Sequence, residues 1–142
     1  MNDSGPASPA PAPMRVLLLD DDSFMLKMLG EMLGELGAYD VVAESDSRAA
    51  VASLRRHRPQ LLICDLSLPD MDGIEFLRMA AEDGFQGGVV LLSGVDSGVR
   101  KAAERLAMAQ GLRILGAYRK PIALTDLEHM LALAGGGHAF PR

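Results

Sequence analysis

Polar side chains able to do chemistry fall at four points of this sequence, each at or just beyond the end of a short apolar run. Asp20, Asp21 and Asp22 follow Val16–Leu19, Asp65 follows Leu61–Cys64, Ser93 follows Val89–Leu92, and Lys120 with Pro121 comes shortly after Leu112–Ala117. Carboxylates gathered from two such points repel one another unless a proton or a cation joins them. A cation held by oxygen alone, with few protein ligands, is the preference of Mg2+, above all when a phosphate supplies a further ligand. A hydroxyl and an ammonium facing that cluster suit the remaining phosphate oxygens. The chemistry these residue types would share is phosphoryl transfer to an aspartate, provided the fold brings them together.

The elements that must do so can be read from periodicity. Val16–Leu19 is an apolar run of strand length, and Ser23 is placed to cap a helix whose Met25, Leu29, Met32, Leu33 and Leu36 recur at helical spacing before Gly37. Asp40–Glu44 reads as a second strand; Asp46 then caps a helix through Arg58, which Pro59 ends. Leu61–Asp65 is the third strand, Leu68–Gly73 a loop and Ile74–Glu82 a helix. Val89–Ser93 and Leu112–Ala117 are the fourth and fifth strands, with Ser97–Gln110 a helix between them. Thr125 and Glu128 form a capping box for a last helix that ends near Ala134.

Five largely apolar strands alternating with five helices imply a parallel sheet covered on both faces. The economical α/β solution is a flavodoxin-like, doubly wound (βα)5 sandwich with strand order 2-1-3-4-5, whose crevice lies beyond the carboxyl ends of strands 1 and 3. Every polar residue that punctuates an apolar strand lies at that end.

Composition agrees. The 142 residues suffice for one domain; 49% are hydrophobic, and 19 acids against 14 Lys and Arg give a formal charge of −5. That balance argues against a dominant basic surface for nucleic acid or an anionic membrane. One cysteine excludes an internal disulfide framework. Residues 1–13, rich in Pro, Ala and Ser, read as a disordered leader without the basic start and apolar stretch of a secretory signal. Residues 14–134 form the folded unit, and Gly135 to Arg142 a flexible tail or linker stub. With no apolar run long enough to span a membrane, the expectation is a soluble cytoplasmic domain.

In order and at the expected intervals, VLLLDDDSF, LLICDLSLPDMDG, VVLLSG and YRKP resemble the CheY-like receiver domain of two-component response regulators. The resemblance covers roughly Arg15 to Ala134, and the four motifs are specific in combination where each alone is weak. It implies that Asp65 is the phosphoacceptor for a phosphohistidine on a sensor histidine kinase or phosphotransfer protein. It implies that Asp21 binds Mg2+ directly and Asp20 mainly through water, with Asp65 and the backbone carbonyl of Ser67 as further ligands. Ser93 would hydrogen-bond a phosphate oxygen and Lys120 would pair with the phosphoryl group, aimed by a Lys120–Pro121 peptide that is often cis in this family. Pro69 and Gly73 match the turn after the acceptor. The resemblance further implies a downstream effector domain or protein, and allows a homodimer through the helix 4–strand 5–helix 5 face. The stretch GLRILGAYRKP resembles receivers joined to cyclic-di-GMP phosphodiesterase domains. Two departures stand out: Ala117 occupies the usual aromatic switch position, with Tyr118 beside it on the opposite face, and Ile122 replaces the frequent Phe after Lys-Pro.

Two rivals belong to other classes. A haloacid-dehalogenase-type phosphohydrolase also begins with an apolar strand and Asp-x-Asp, which would make Asp20 the nucleophile and Asp22 the acid/base. Against it, no acidic pair follows a strand after Lys120, and there is no room for a substrate-covering cap. A degenerate receiver acting only as an interaction module would lack a complete site. The basic run Arg55–Arg58 reads as cations at a helix carboxyl end, Cys64 as a packed strand residue, and the three histidines share no ligand spacing.

Overall fold

The computed structural model describes residues 13–37, 39–66, 73–94 and 97–139. Ten elements alternate: β1 Arg15–Leu19, α1 Ser23–Leu36, β2 Asp40–Glu44, α2 Ser47–His57, β3 Leu61–Asp65, α3 Gly73–Glu82, β4 Gly88–Ser93, α4 Ser97–Ala109, β5 Arg113–Arg119 and α5 Leu124–Ala139. The strands pair in parallel in the order β2-β1-β3-β4-β5, as the alternation of elements predicts.

Alternation along each strand divides the core into two layers. Leu17, Leu19, Leu62, Cys64, Val89 and Leu91 face Ala50 and Leu54 of α2, Phe76 and Leu77 of α3, and Ala103 and Ala107 of α4. Val16, Leu18, Leu61, Ile63, Val90 and Leu92 face Met25, Leu29 and Leu33 of α1 and Leu127, Met130 and Leu131 of α5. β1, β3 and β4 are therefore apolar on both faces, while the edge strand β2 is only half-buried.

Several element ends differ from the sequence reading. Asp22, not Ser23, caps α1, its Oδ1 accepting from the Phe24 and Met25 amides at 3.0 and 3.4 Å. Both residue types cap well, and the one whose oxygen reaches the open amides takes the role. At α5 the Thr125–Glu128 box does not form. Asp126 instead accepts from the Ala123 amide at 3.1 Å, and Leu127 N–H bonds to Ala123 O, so the helix opens two residues earlier. α5 also runs past Ala134, through Gly135, Gly136 and Gly137, to Ala139. Glycine costs about 1 kcal/mol per helical residue relative to alanine but does not remove a hydrogen bond, so it weakens a helix without stopping it. β5 runs from Arg113 to Arg119, two residues beyond Ala117, and its register against β4 slips between Val89 and Val90, where Val89 faces Ile114 and Val90 faces Gly116. The expected leader up to residue 12 and the Leu68–Asp72 part of the loop, with Pro69, lie outside the described residues.

Gly73 opens α3 against the end of β3. Its amide bonds to Leu66 O at 3.1 Å, and a Cβ built there would lie 2.6 Å from both Asp65 O and Leu66 Cα. Only a residue without a side chain lets the chain turn this tightly under Asp65. G73A should therefore destabilise the fold by about 1–3 kcal/mol, seen as a lower urea midpoint; an unchanged midpoint would contradict this packing. Cys64 is fully buried, and desolvation, aided by the Asp65 and Asp20 charges, pushes its thiol well above the ordinary range. Native protein at pH 8 should leave a thiol-disulfide reagent unreacted, with one equivalent consumed on unfolding. Stoichiometric reaction of the folded protein would contradict that burial.

Candidate functional site

The registers carry the polar residues to one end of the sheet. Leu19 of β1 lies opposite Cys64 of β3, so the next residues, Asp20 and Asp65, emerge side by side at the carboxyl edge. Hydrogen bonds that continue the ladders hold each strand end: Asp20 N–H to Glu44 O at 3.2 Å, Leu66 N–H to Leu92 O at 2.9 Å, and Lys120 N–H to Ser93 O at 2.9 Å. Ser93, wholly buried, stands one residue beyond Leu92, the partner of Asp65. The Lys120–Pro121 peptide is cis.

Asp20, Asp21 and Asp65 each offer a carboxylate oxygen, and these oxygens lie within 4.8 Å of one another. Asp20 and Asp65 are 1% exposed, whereas Asp21 faces solvent. Lys120 Nζ reaches both buried carboxylates, 2.8 Å from Asp20 Oδ2 and 3.3 Å from Asp65 Oδ2. Burial works against the charged ammonium, but hydrogen bonding and attraction to Asp20, then to Asp65, outweigh it and raise the Lys120 pKa above its ordinary value. Lys120 is thus held as a cation between two anions.

One ammonium does not satisfy this cluster. Asp20 Oδ1 accepts from the Asp22 amide at 2.9 Å, and buried Oδ2 has Lys120 Nζ beside it, but that single ammonium is shared with Asp65 while Asp21 adds a third carboxylate. Three hard oxygen donors, one of them exposed, match a small divalent cation such as Mg2+, which binds few carboxylates and keeps several waters.

Asp22 stands apart, because its side chain is committed to the amino end of α1. The acid/base role that a haloacid-dehalogenase reading gives it finds no support in that geometry. Ser67 lies outside the described residues. The capping role of Asp22 was within reach of the sequence, since Asp and Ser compete for the same position. On β5, Ala117 packs toward the α2–α3–α4 layer and Tyr118 toward the α1–α5 layer, on opposite faces as alternation predicts. Burial, with a smaller effect of Asp126, raises the Tyr118 pKa. Ile122 is buried in the α1–α5 layer.

Among the described residues no helix is long and apolar enough to cross a membrane. The chain is 32% identical over 119 residues to the cyclic di-GMP phosphodiesterase RocR of Pseudomonas aeruginosa, a match covering 83% of this chain and 30% of RocR. It is 34% identical over 134 residues to the transcriptional regulatory protein PdtaR of Mycobacterium tuberculosis, covering 92% of this chain and 62% of PdtaR. In both cases the chain spans less than two thirds of the relative's length. Among solved structures, a response regulator from Colwellia psychrerythraea superposes with a TM-score of 0.74 at 34% identity, covering 87% of this chain and 98% of that one. The family model for the response regulator receiver domain matches residues 16–132, the span that carries both core layers and all four strand-end motifs. The chain belongs to that family of signalling domains.

Proposed function

We propose that this chain accepts a phosphoryl group on Asp65 from a phosphohistidine of a sensor histidine kinase or phosphotransfer protein, in the cytoplasm, and that the new charge switches a protein-binding face. The observation that carries the reading is the grouping of Asp20, Asp21 and Asp65 oxygens within 4.8 Å with Lys120 Nζ between two of them. An Asp65 oxygen attacks phosphorus, a P–O bond forms as the histidine N–P bond breaks, and the proton balance stays with the departing imidazole. Such a transfer depends on in-line placement and on neutralising the equatorial oxygens. Lys120 supplies one preorganised positive charge, and buried Ser93 a hydroxyl for a phosphate oxygen. Asp20, Asp21, Asp65 and the Ser67 carbonyl would hold Mg2+, which when bound would offset the negative charge shared between phosphoryl group and acceptor. No separate substrate is turned over; phosphorylation and later hydrolysis are self-catalysed.

The product carries about −1.5 to −2 charge and three acceptor oxygens. It takes over the Lys120 contact that the Asp65 carboxylate made, competes with Asp20 for the same ammonium and draws Ser93, shifting the connection after β4 and the α4–β5–α5 face. Ala117 supplies no aromatic ring to that shift. The altered face would bind an effector domain or protein, or a second copy. The identity with RocR across most of this chain supports a cyclic-di-GMP phosphodiesterase as the effector class. A full-length gene product in which such a domain follows would bear this out, and a different effector there would replace it.

Two variants test the chemistry. D65N should remove labelling by acetyl phosphate in Mg2+ while retaining the far-UV CD spectrum and unfolding midpoint; continued labelling would place the acceptor elsewhere. K120A should still bind Mg2+ in a titration but be phosphorylated about 10²-fold more slowly, the scale of losing one preorganised donor, and lose the phosphorylation-dependent spectral change. A wild-type response from K120A would reduce Lys120 to a structural cation.

A further inference from the structure

One concave feature lies at the opposite end of the sheet and plays no part in phosphoryl transfer. A cavity of about 820 Å³ opens beneath the amino ends of the strands, between the end of α2, the α3–β4 connection and the starts of β1 and β5. Arg15, Arg55, Arg58 and Arg113 line it, with Asp83 the one acid among the described residues. In a chain of formal charge −5, four guanidinium groups around one hollow are a local reversal of sign.

Cations at the end of α2 are accounted for by the helix dipole. That account does not reach Arg15 and Arg113, which come from β1 and β5. The commitments of each group leave a surplus. Arg55 is spent on Asp83 through a two-point pair, 2.7 Å from Nε to Oδ2 and 3.2 Å from a terminal nitrogen to Oδ1. Arg15 donates Nε–H to His57 O and Arg58 O at 3.0 and 2.9 Å, closing the last turn of α2. Arg113 donates one terminal N–H to Leu133 O at 3.1 Å. Both are thereby anchored to backbone while other N–H groups remain for a ligand. Arg58 sits in the left-handed region at φ 52°, and its guanidinium has no recorded hydrogen bond or ion pair among the described residues. With Asp83 paired to Arg55, Arg15, Arg58 and Arg113 have no carboxylate within ion-pair distance among the described residues.

Guanidinium forks match phosphate oxygens two at a time, and anchoring through one nitrogen lowers the cost of ordering the rest. The volume lies within the roughly 300–1,000 Å³ of small-molecule sites. Half-buried Phe85 and buried Pro59 add apolar wall on which a planar ring can rest. We propose that this hollow binds a small ligand bearing two or more phosphate groups, of nucleoside polyphosphate class, at a site separate from the acidic pocket. Arg15 begins β1 and Asp20 follows its end, so the two sites are about 17 Å apart along the strand.

The test is titration of the full chain with ATP and with pyrophosphate in EDTA, which keeps divalent cations from the acidic pocket, read by ¹H–¹⁵N NMR. Both ligands should saturate and shift the amides of residues 58, 84–87 and 113, leaving residues 20 and 65 unmoved. R58A combined with R113Q should weaken binding by about tenfold or more; R58A alone, at an exposed site, gives the same direction if the pair proves unstable. ATP binding more tightly than pyrophosphate would show that the nucleoside contributes, and equal affinity that the phosphates alone are read; both support an anion site. No saturation up to about 10 mM, shifts confined to the acidic pocket, or unchanged affinity in the variants would overturn it.

Discussion

The structure turns on negative charge held together against its own repulsion. Two unit charges about 4 Å apart interact by roughly 4 kcal/mol at the effective dielectric of a protein surface, so carboxylates this close need a positive charge between them. Asp20 and Asp65 meet that condition through Lys120, one cation shared by two buried carboxylates with Asp21 beside them. A pocket left short of positive charge is receptive to a cation. In the function proposed above, a cation held there readies the pocket for phosphate. On that proposal, electrostatic need and signalling chemistry are the same property at two stages.

The sheet makes the arrangement rigid. Parallel strands put all their carboxyl ends on one edge, and the order β2-β1-β3-β4-β5 sends the connections after β1 and β3 to opposite faces, opening a crevice between them. Because β3 and β4 are buried along their whole length, the site has no freedom to drift relative to the core. Gly73 turns the chain under Asp65 with no space for a side chain, and Cys64 packs beneath as a neutral thiol. Lys120 is tied through its amide to Ser93 O, so a pull on the β4 end is felt by the lysine backbone.

Much of this was legible because buried parallel strands read as unbroken apolar runs ending in polar residues. Leu61–Asp65 and Asp40–Glu44 match their strands residue for residue, and the acids placed at strand ends do converge. Less legible were ends decided by competition between equivalent local choices. Asp22 and Ser23 are both good caps, and only the path of the chain gives the role to Asp22. Three successive glycines read as a stop, yet α5 continues through them. The register slip in β5 depends on pairing with β4, which no local pattern encodes. The arginine-lined hollow was visible only in part: Arg55 and Arg58 belong to a basic run, but Arg15 and Arg113 are distant in sequence and join them only in the folded chain.

The central claim is that one carboxylate of the cluster, and no other, receives the phosphoryl group. Borohydride reduction of protein treated with a phosphodonor in Mg2+, followed by peptide mass spectrometry, converts an acyl phosphate into a stable mark on its own residue. The mark is expected on Asp65. Its appearance on Asp20, or on neither, would contradict it.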